Sequence, residues 1–160
     1  MKTPWPQRGT AGFTTFELLF VMALLAVIAA IAAPGMRGFV LSQRVQALSN
    51  DLTTDLMLAR SEALKRSATA QLAPRESGLE SGWTVSAGNT VLGWRGATGG
   101  VEIVDAPAAI SFNSNGRVSS PTTRLRMTVR GDGDAEGAIV QRCVEVDLSG
   151  RVRNQPGACS

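Results

Sequence analysis

The apolar and polar positions divide the chain into stretches with different periodicities. Residues Leu18 to Ala33 carry no charge and are almost all aliphatic, whereas the residues before Gly12 are polar. From Ser42 to about Ala70, apolar residues recur at three- and four-residue steps, which predicts an amphipathic helix with one buried face. The apolar positions of this helix are Val45, Leu48, Leu52, Leu56, Ala59 and Ala63.

Beyond residue 73 the pattern changes to short alternations of β-branched residues separated by turn signals such as Asn115-Gly116. A helix followed by a run of such strands predicts an α+β fold, with an antiparallel sheet or small sandwich packed on the helix. The predicted strands are residues 83–86, 90–94, 101–104, 109–112, 125–129 and 140–148.

The uncharged run is slightly short for a membrane-spanning helix, which needs about 20 residues. Phe13 and Phe16 extend it on one side, and apolar residues up to Leu41 extend it on the other. We therefore predict a spanning helix over residues 13–41, with a tilt or a bend at Pro34.

Glu17 stands at the edge of this apolar run. A carboxylate at the edge of a spanning helix costs a few kcal/mol unless it is paired or neutralised, so it indicates a functional residue. The alternative is an interfacial glutamate that only favours the N-terminus of the helix. The residues alone leave both interpretations open.

The N-terminal segment resembles the class III signal of the type IV pilin family, which includes the pseudopilins of type II secretion. In that family a short basic leader ends in glycine, phenylalanine follows, and glutamate is fifth in the mature chain. Gly12, Phe13 and Glu17 match these positions, and Lys2 and Arg8 make the leader basic.

This resemblance implies that a prepilin peptidase cleaves after Gly12 and N-methylates Phe13, and that Glu17 pairs with the Phe13 amine of a neighbouring subunit. Pro34 falls where pilins often carry a helix-bending proline. The implied partners are other minor and major pilins or pseudopilins, the inner-membrane assembly platform and inner-membrane lipid. The basic leader stays cytoplasmic by the positive-inside rule, so the head is periplasmic.

The rest of the chain resembles the GspH/FimT branch of the family. The resemblance depends on the Ala-Arg-Ser-Glu-Ala core of Leu56–Arg66 and on Ser149–Arg153, and more weakly on Ile110–Phe112 followed by Gly116-Arg117. It implies a minor subunit at the initiation or tip of a secretion pseudopilus or a type IV pilus. The expected segments are a leader (1–12), a filament-core helix (13–41), a helix of the head (42–72) and a β-rich head (73–160).

Histidine is absent, which excludes histidine-containing triads and the commonest nitrogen ligand of metals. Cys143 and Cys159 are too few for a zinc site and too far apart for a C-x-x-C motif. We therefore expect no enzymatic activity, no cofactor and no metal. Outside the cytoplasm a disulfide is the natural interpretation of the two cysteines, and two unpaired thiols are the alternative.

On the FimT side of the branch, a C-terminal Gly-Arg-x-Arg motif is associated with DNA binding during natural transformation. Gly150, Arg151 and Arg153 match this motif. Arginines at i and i+2 of an extended segment face the same side and can contact successive phosphates of double-stranded DNA, while the glycine permits close approach. The alternative is a solvated hairpin with Gly150 in its turn and arginines that keep an exposed strand soluble.

The overall charge does not decide between these alternatives. The formal charge is +3, but removing Lys2 and Arg8 from the 16 basic residues leaves 14 against 13 acidic residues. Asp132, Asp134 and Glu136 have the two-residue spacing of calcium loops but lack the later bidentate glutamate of an EF-hand. We interpret them as an acidic hairpin tip.

Overall fold

The structure is a computed structural model that describes residues 13–132 and 140–160, without the side chains of residues 32–35 and 37. Gly12 and the rest of the predicted leader lie outside these residues, as do Asp134 and Glu136. The chain divides into two compact units, one up to Arg37 and one from Gly38 to Ser160.

Helix α1 runs from Thr15 to Arg66. Its first turn is capped by Thr14, whose hydroxyl oxygen accepts a hydrogen bond from the backbone N–H of Glu17 at 3.2 Å. Thr14 and Glu17 have the spacing of a capping box, in which the hydroxyl satisfies one of the free N–H groups at a helix start. The helix includes Pro34, and the bend predicted there stays a prediction.

In the first unit, the described apolar side chains of the helix are all exposed. Phe13 is 84% exposed and Ile31 77% exposed, and the leucine, valine, isoleucine and methionine side chains between them are at least 43% exposed. No helical stretch among the described residues is long and apolar enough to cross a membrane. The span predicted for residues 13–41 stays a prediction.

The helix ends earlier than the sequence pattern indicated. Ser67 takes a left-handed conformation with φ of 50°, and the N–H of Ala68 donates to the carbonyl oxygen of Ala63 at 3.2 Å. This six-to-one bond closes the helix as in a Schellman motif. Strand β1 begins at Ala70, so residues 70–72, assigned to the helix from the sequence, belong to the sheet.

The described strands of the second unit form two antiparallel sheets, with orders β3-β2-β1-β5-β6 and β4-β7-β8-β9. A 3₁₀ turn at Leu79–Ser81 joins β1 to β2. The six predicted strands are all present, with ends shifted by up to two residues, whereas β1, β6 and β9 were not predicted. The strands are β1 (Ala70–Pro74), β2 (Trp83–Ala87), β3 (Thr90–Trp94), β4 (Val101–Val104), β5 (Ile110–Phe112), β6 (Val118–Ser120), β7 (Leu125–Gly131), β8 (Gln141–Val146) and β9 (Val152–Pro156).

The core of the second unit forms where the helix meets both sheets. All six apolar positions predicted for the buried face of the helix are at most 2% exposed. They belong to one apolar cluster with Leu72, Trp83 and Phe112 of the five-stranded sheet and Met127 and Val144 of the four-stranded sheet. Burial of such side chains contributes about 1.5–3 kcal/mol each for the larger aliphatic and aromatic residues. The predicted α+β fold is confirmed.

Candidate functional site

The Gly-Arg-x-Arg segment begins in the tight turn that joins β8 to β9 and continues into β9. The backbone N–H of Asp147 donates to the carbonyl oxygen of Arg151 at 3.1 Å, and the N–H of Gly150 donates to the carbonyl oxygen of Asp147 at 2.9 Å. The Asp147 carboxylate oxygen Oδ1 also accepts from the Ser149 hydroxyl at 2.5 Å and from the Arg151 N–H at 3.1 Å. The aspartate therefore organises the whole turn.

These bonds also set the ionisation of Asp147. The Ser149 hydroxyl and, after it, the backbone N–H of Arg151 lower the pKa of the Asp147 carboxyl below its ordinary value, with a smaller effect from the Arg153 charge, and partial burial opposes them. Hydrogen bonds to the charged form of a carboxyl stabilise that form. The turn thus keeps a negative charge next to the two arginines.

The turn between β5 and β6 has the same construction. The N–H of Asn113 donates to the carbonyl oxygen of Arg117 at 2.9 Å, and the N–H of Gly116 donates to the carbonyl oxygen of Asn113 at 2.8 Å. The Asn113 side-chain oxygen accepts from the N–H groups of Asn115 and Arg117 at 3.0 and 3.1 Å. We call residues 113–117 and 147–151 the two Gly-Arg turns.

The two Gly-Arg turns touch each other at their glycines. Gly116 and Gly150 are buried and have φ of 69° and 80°, a left-handed conformation that glycine adopts without strain. A Cβ atom added at Gly150 would overlap the carbonyl oxygen of Gly116. Gly150 thus permits close approach of the protein's own backbone, whereas the sequence had led us to expect that it admits a ligand.

Arg60 of helix α1 binds both Gly-Arg turns. Its Nε donates to the carbonyl oxygen of Gly116 at 3.0 Å, and its Nη2 donates to the carbonyl oxygen of Ser149 at 3.3 Å. The side chain is half-buried, and no carboxylate of the described residues forms an ion pair with it. The Ala-Arg-Ser-Glu-Ala segment, Gly116-Arg117 and Ser149–Arg153 therefore meet at one place.

Arg151 and Arg153 are exposed, and Val152 between them is buried, so the predicted placement of both arginines on one side agrees with the structure. Arg153 lies opposite Glu145 of β8, and Glu145 also forms an ion pair with Arg124, with Nε to Oε1 at 3.3 Å. Acidic side chains therefore reduce the positive potential on this face.

Arg142 and Arg117 are two further basic residues of the head. Arg142 faces the helix side of the sheet, where its Nε donates to Asn154 Oδ1 at 3.0 Å, and the amide nitrogen of Asn154 donates to Asn50 Oδ1 at 3.1 Å. It therefore does not add to the Arg151–Arg153 face. Arg117 is exposed and directly follows Gly116, which contacts Gly150.

Cys143 and Cys159 form a disulfide. Cys143 lies in β8, and the N–H of Cys159 donates to the Thr128 hydroxyl of β7 at 3.1 Å. The expected disulfide is confirmed, and it joins the C-terminal tail to β8, the last of the strands predicted from the sequence. The turn that joins β8 to β9, together with Arg151 and Arg153, lies between the two bridged cysteines in the sequence.

The remaining predicted residues take separate places. Phe13 and Glu17 are exposed at the start of α1, and Gly12 lies outside the described residues. Asp132 donates its N–H to the carbonyl oxygen of Gly100 at 2.9 Å. Within residues 13–132 and 140–160, no group of acidic or cysteine side chains could hold a metal ion, and the rest of the acidic tip is not among these residues.

Sequence reasoning missed Arg60 and the second Gly-Arg turn as parts of this site. A signal was present, because Asn-Ser-Asn-Gly-Arg and Asp-Leu-Ser-Gly-Arg repeat one pattern at 113–117 and 147–151. An Asx residue three places before a glycine is typical of a turn with side-chain-to-backbone bonds. The contact between the turns depends on the fold and has no local signal.

Comparison with known proteins agrees with this architecture. The sequence profile of the family described as "Type II transport protein GspH" matches residues 48–150, a range that includes Arg60, Gly116 and Gly150. No curated protein sequence matches the chain.

Two solved structures of the type IV minor pilin FimU of Pseudomonas aeruginosa strain PAO1 have a similar fold. In one crystal form the TM-score is 0.57 at 19% identity, over 69% of this chain and 92% of the FimU chain. In the other the TM-score is 0.60 at 18% identity, over 71% and 90%. At this identity the likeness establishes the pilin fold.

Proposed function

This chain belongs to the family of the type II transport protein GspH, and from that premise we propose that it is a minor pilin or pseudopilin subunit of a type II secretion pseudopilus or a type IV pilus. A prepilin peptidase cleaves after Gly12 and N-methylates Phe13. The subunit is anchored in the inner membrane, with its head in the periplasm, and enters a filament with other minor and major pilins.

The exposed apolar side chains of α1 are the observation that carries this proposal. Phe16, Phe20 and Ile31 are 77, 64 and 77% exposed, whereas the six apolar positions of the helical stripe in the head are at most 2% exposed. A contiguous apolar surface of this kind is covered by lipid or by other subunits in a functioning protein. Lipid before assembly and neighbouring helices after it are the two environments that a pilin encounters.

Glu17 supports filament assembly in this proposal. Its backbone N–H is already used by the Thr14 cap, whereas its exposed carboxylate makes no hydrogen bond or ion pair with the described residues. Pairing with the Phe13 amine of a neighbouring subunit removes the cost of a lone carboxylate in an apolar environment. The assembly platform supplies the neighbouring subunit.

Intact-mass measurement tests the processing step. The full chain is co-expressed with an active prepilin peptidase or with an inactive one, and the membrane fraction is analysed. We expect the mass to fall by residues 1–12 and to rise by one methyl group only with the active enzyme. A Gly12→Val chain is the matched control and keeps its leader. An unprocessed wild-type chain beside the active peptidase would contradict the proposal.

DNA binding is a second candidate function, favoured by the exposed pair Arg151 and Arg153 on a hairpin that the disulfide closes. With Glu145 and Asp147 nearby, we expect weak, sequence-independent binding of duplex phosphates that declines steeply with salt. The double variant Arg151→Ala with Arg153→Ala loses the mobility shift seen at low salt. Equal binding by this variant and the wild type would exclude the candidate.

A further inference from the structure

The two Gly-Arg turns are equivalent in structure although they come from different sheets. In each, an Asx side-chain oxygen accepts the N–H of the arginine four residues later, at 3.1 Å in both turns. In each, the N–H of the glycine donates to the Asx carbonyl oxygen, at 2.8 and 2.9 Å. The arginine at the end of each turn is therefore held by the same set of hydrogen bonds.

The contact between the glycines places these arginines on adjoining turns. The Gly116 carbonyl oxygen lies against Gly150 so closely that no side chain fits there. Arg117 and Arg151 each directly follow one of the touching glycines, and both are exposed. Neither forms an ion pair with a carboxylate among the described residues, so both guanidinium groups are available to an anion.

Arg60 holds the two turns to the helix. A guanidinium has several N–H donors in a fixed planar arrangement, which lets it bind two carbonyl oxygens at once, whereas a lysine ammonium is a point charge. Arg60 uses Nε for Gly116 and Nη2 for Ser149. Because no described carboxylate pairs with it, its charge also adds to the positive potential beneath the turns.

We propose that the two Gly-Arg turns form one composite surface for the phosphate backbone of duplex DNA, in which Arg117 is a phosphate contact equivalent to Arg151 and Arg60 is the positioning residue that holds the turns together. This inference rests on the proposed DNA-binding function. It extends the binding surface from the C-terminal hairpin of the four-stranded sheet to the β5–β6 hairpin of the five-stranded sheet.

The first experiment measures the salt dependence of binding to short duplex DNA of random sequence by the full chain in a nonionic detergent. Arg117→Ala and Arg151→Ala each weaken binding roughly tenfold at low salt. Each also makes the negative slope of log K against log salt less steep by about 0.9, as expected for the loss of one phosphate contact. Arg75→Ala is the matched control. Arg75 is exposed and follows Pro74, which pairs with Trp83 at the C-terminal end of β1. The N-terminal end of β1 is the one that pairs with Phe112, next to the β5–β6 turn.

The second experiment tests Arg60 by amide hydrogen exchange. Arg60→Gln accelerates exchange of the Gly116 and Gly150 N–H groups about tenfold or more, while the N–H of Val129 in β7 serves as the reference for global opening. Arg44→Gln is the control, because Arg44 lies on the same helix and, among the described residues, its side chain donates only to the carbonyl oxygen of Gly99, at 3.1 Å.

Arg60→Lys separates positioning from charge. It keeps the charge but cannot bridge both carbonyl oxygens, so we expect fast exchange at both glycines and a DNA affinity between those of the wild type and Arg60→Gln. Wild-type exchange and affinity in Arg60→Lys would mean that only the charge of residue 60 matters, which would overturn the positioning role.

The outcomes distinguish this inference from the function on which it rests. If the Arg151→Ala, Arg153→Ala double variant binds DNA like the wild type, the DNA-binding function fails and the composite surface fails with it. If that double variant loses binding but Arg117→Ala behaves like Arg75→Ala, the composite surface alone is wrong. Binding that declines in both arginine variants and not in Arg75→Ala supports the surface.

Discussion

Asp55 accepts a hydrogen bond from the indole N–H of Trp83, with Oδ2 and Nε1 2.8 Å apart. Trp83 is completely buried in β2, and Asp55 lies on helix α1, so this bond joins the helix to the five-stranded sheet. The same carboxylate oxygen accepts from Arg95 Nε at 3.0 Å. The helix and the sheet are therefore held by a polar contact in addition to the apolar contacts of the core.

Removing this carboxylate should destabilise the fold markedly. Asp55→Ala leaves the buried indole N–H without an acceptor, which costs about 1–3 kcal/mol of unfolding free energy. Asp51→Ala is the matched control, since Asp51 lies one helical turn away and, within the part of the chain that the structure describes, forms an ion pair only with Arg95; the two side chains are 41 and 38% exposed. An exposed pair of this kind contributes about 1 kcal/mol or less. Denaturant unfolding of both variants measures the difference, and equal losses would contradict this account.

The disulfide should contribute mainly to the stability of the second unit. Cys143 and Cys159 are separated by 16 positions, and closing a loop of this size stabilises the native state by about 3 kcal/mol in the chain-entropy model. The double variant Cys143→Ser with Cys159→Ser should unfold at correspondingly lower denaturant. Reductant should lower the midpoint of the wild type and leave that of the variant unchanged. Two titratable thiols in the denatured, unreduced wild type would rule out the bridge.

Gly150 should tolerate substitution far less than Gly157. Both have positive φ, 80° and 96°, so an added Cβ costs about 1–2 kcal/mol of backbone strain at either position. At Gly150 that Cβ also overlaps backbone, the carbonyl oxygen of Gly116, whereas at Gly157 no atom of the described residues lies within 4 Å of it. We expect Gly150→Ala to cost roughly 4 kcal/mol or more, and Gly157→Ala only the strain. Thermal unfolding of both variants tests this, and similar melting temperatures would show that the turns can separate.

The elements with a regular apolar period could be predicted from the sequence alone. The helical stripe from Val45 to Ala63 could be predicted because each of its positions enters the core, and β3 and β4 could be predicted because turn signals delimit them. Strand β9 could not be predicted in this way. The next residue of β9 that faces the helix after Val152 is Asn154, a polar residue that forms hydrogen bonds with Arg142 and Asn50. A polar side chain there removes the alternation that identifies a strand.

The end of the helix was missed for a related reason. The closing residue in the left-handed conformation is Ser67, where glycine or asparagine is the usual signal, and β1 contains alanines and a proline, which rarely indicate a strand. At the site, the Gly-Arg-x-Arg segment was visible in the sequence. The role of Arg60 was not, because it depends on the contact of two hairpins from different sheets.

Asp147 should make the stability of the β8–β9 turn depend on acid pH. The Ser149 hydroxyl and the Arg151 N–H hold the pKa of this carboxyl below its ordinary value in the folded chain. For a group with a depressed folded pKa, the stabilisation is complete above the unfolded pKa, about 3.9 for aspartate. It is lost as the pH falls through the lower, folded pKa. The wild type should therefore lose stability from about pH 4 downward.

Asp147→Asn is the matched variant for this dependence, because Asn113 shows that an asparagine supports the same turn. We expect the variant to fold at neutral pH and to lack the part of the acid-induced loss that Asp147 causes. The difference in unfolding free energy between the two chains, measured at several pH values from neutral to strongly acidic, gives this contribution. Because the substitution also removes a negative charge beside Arg151 and Arg153, it should strengthen DNA binding at low salt if those arginines contact phosphate. Parallel stability curves for the two chains across the acid range would show that the carboxylate contributes nothing to the turn beyond its hydrogen-bond geometry.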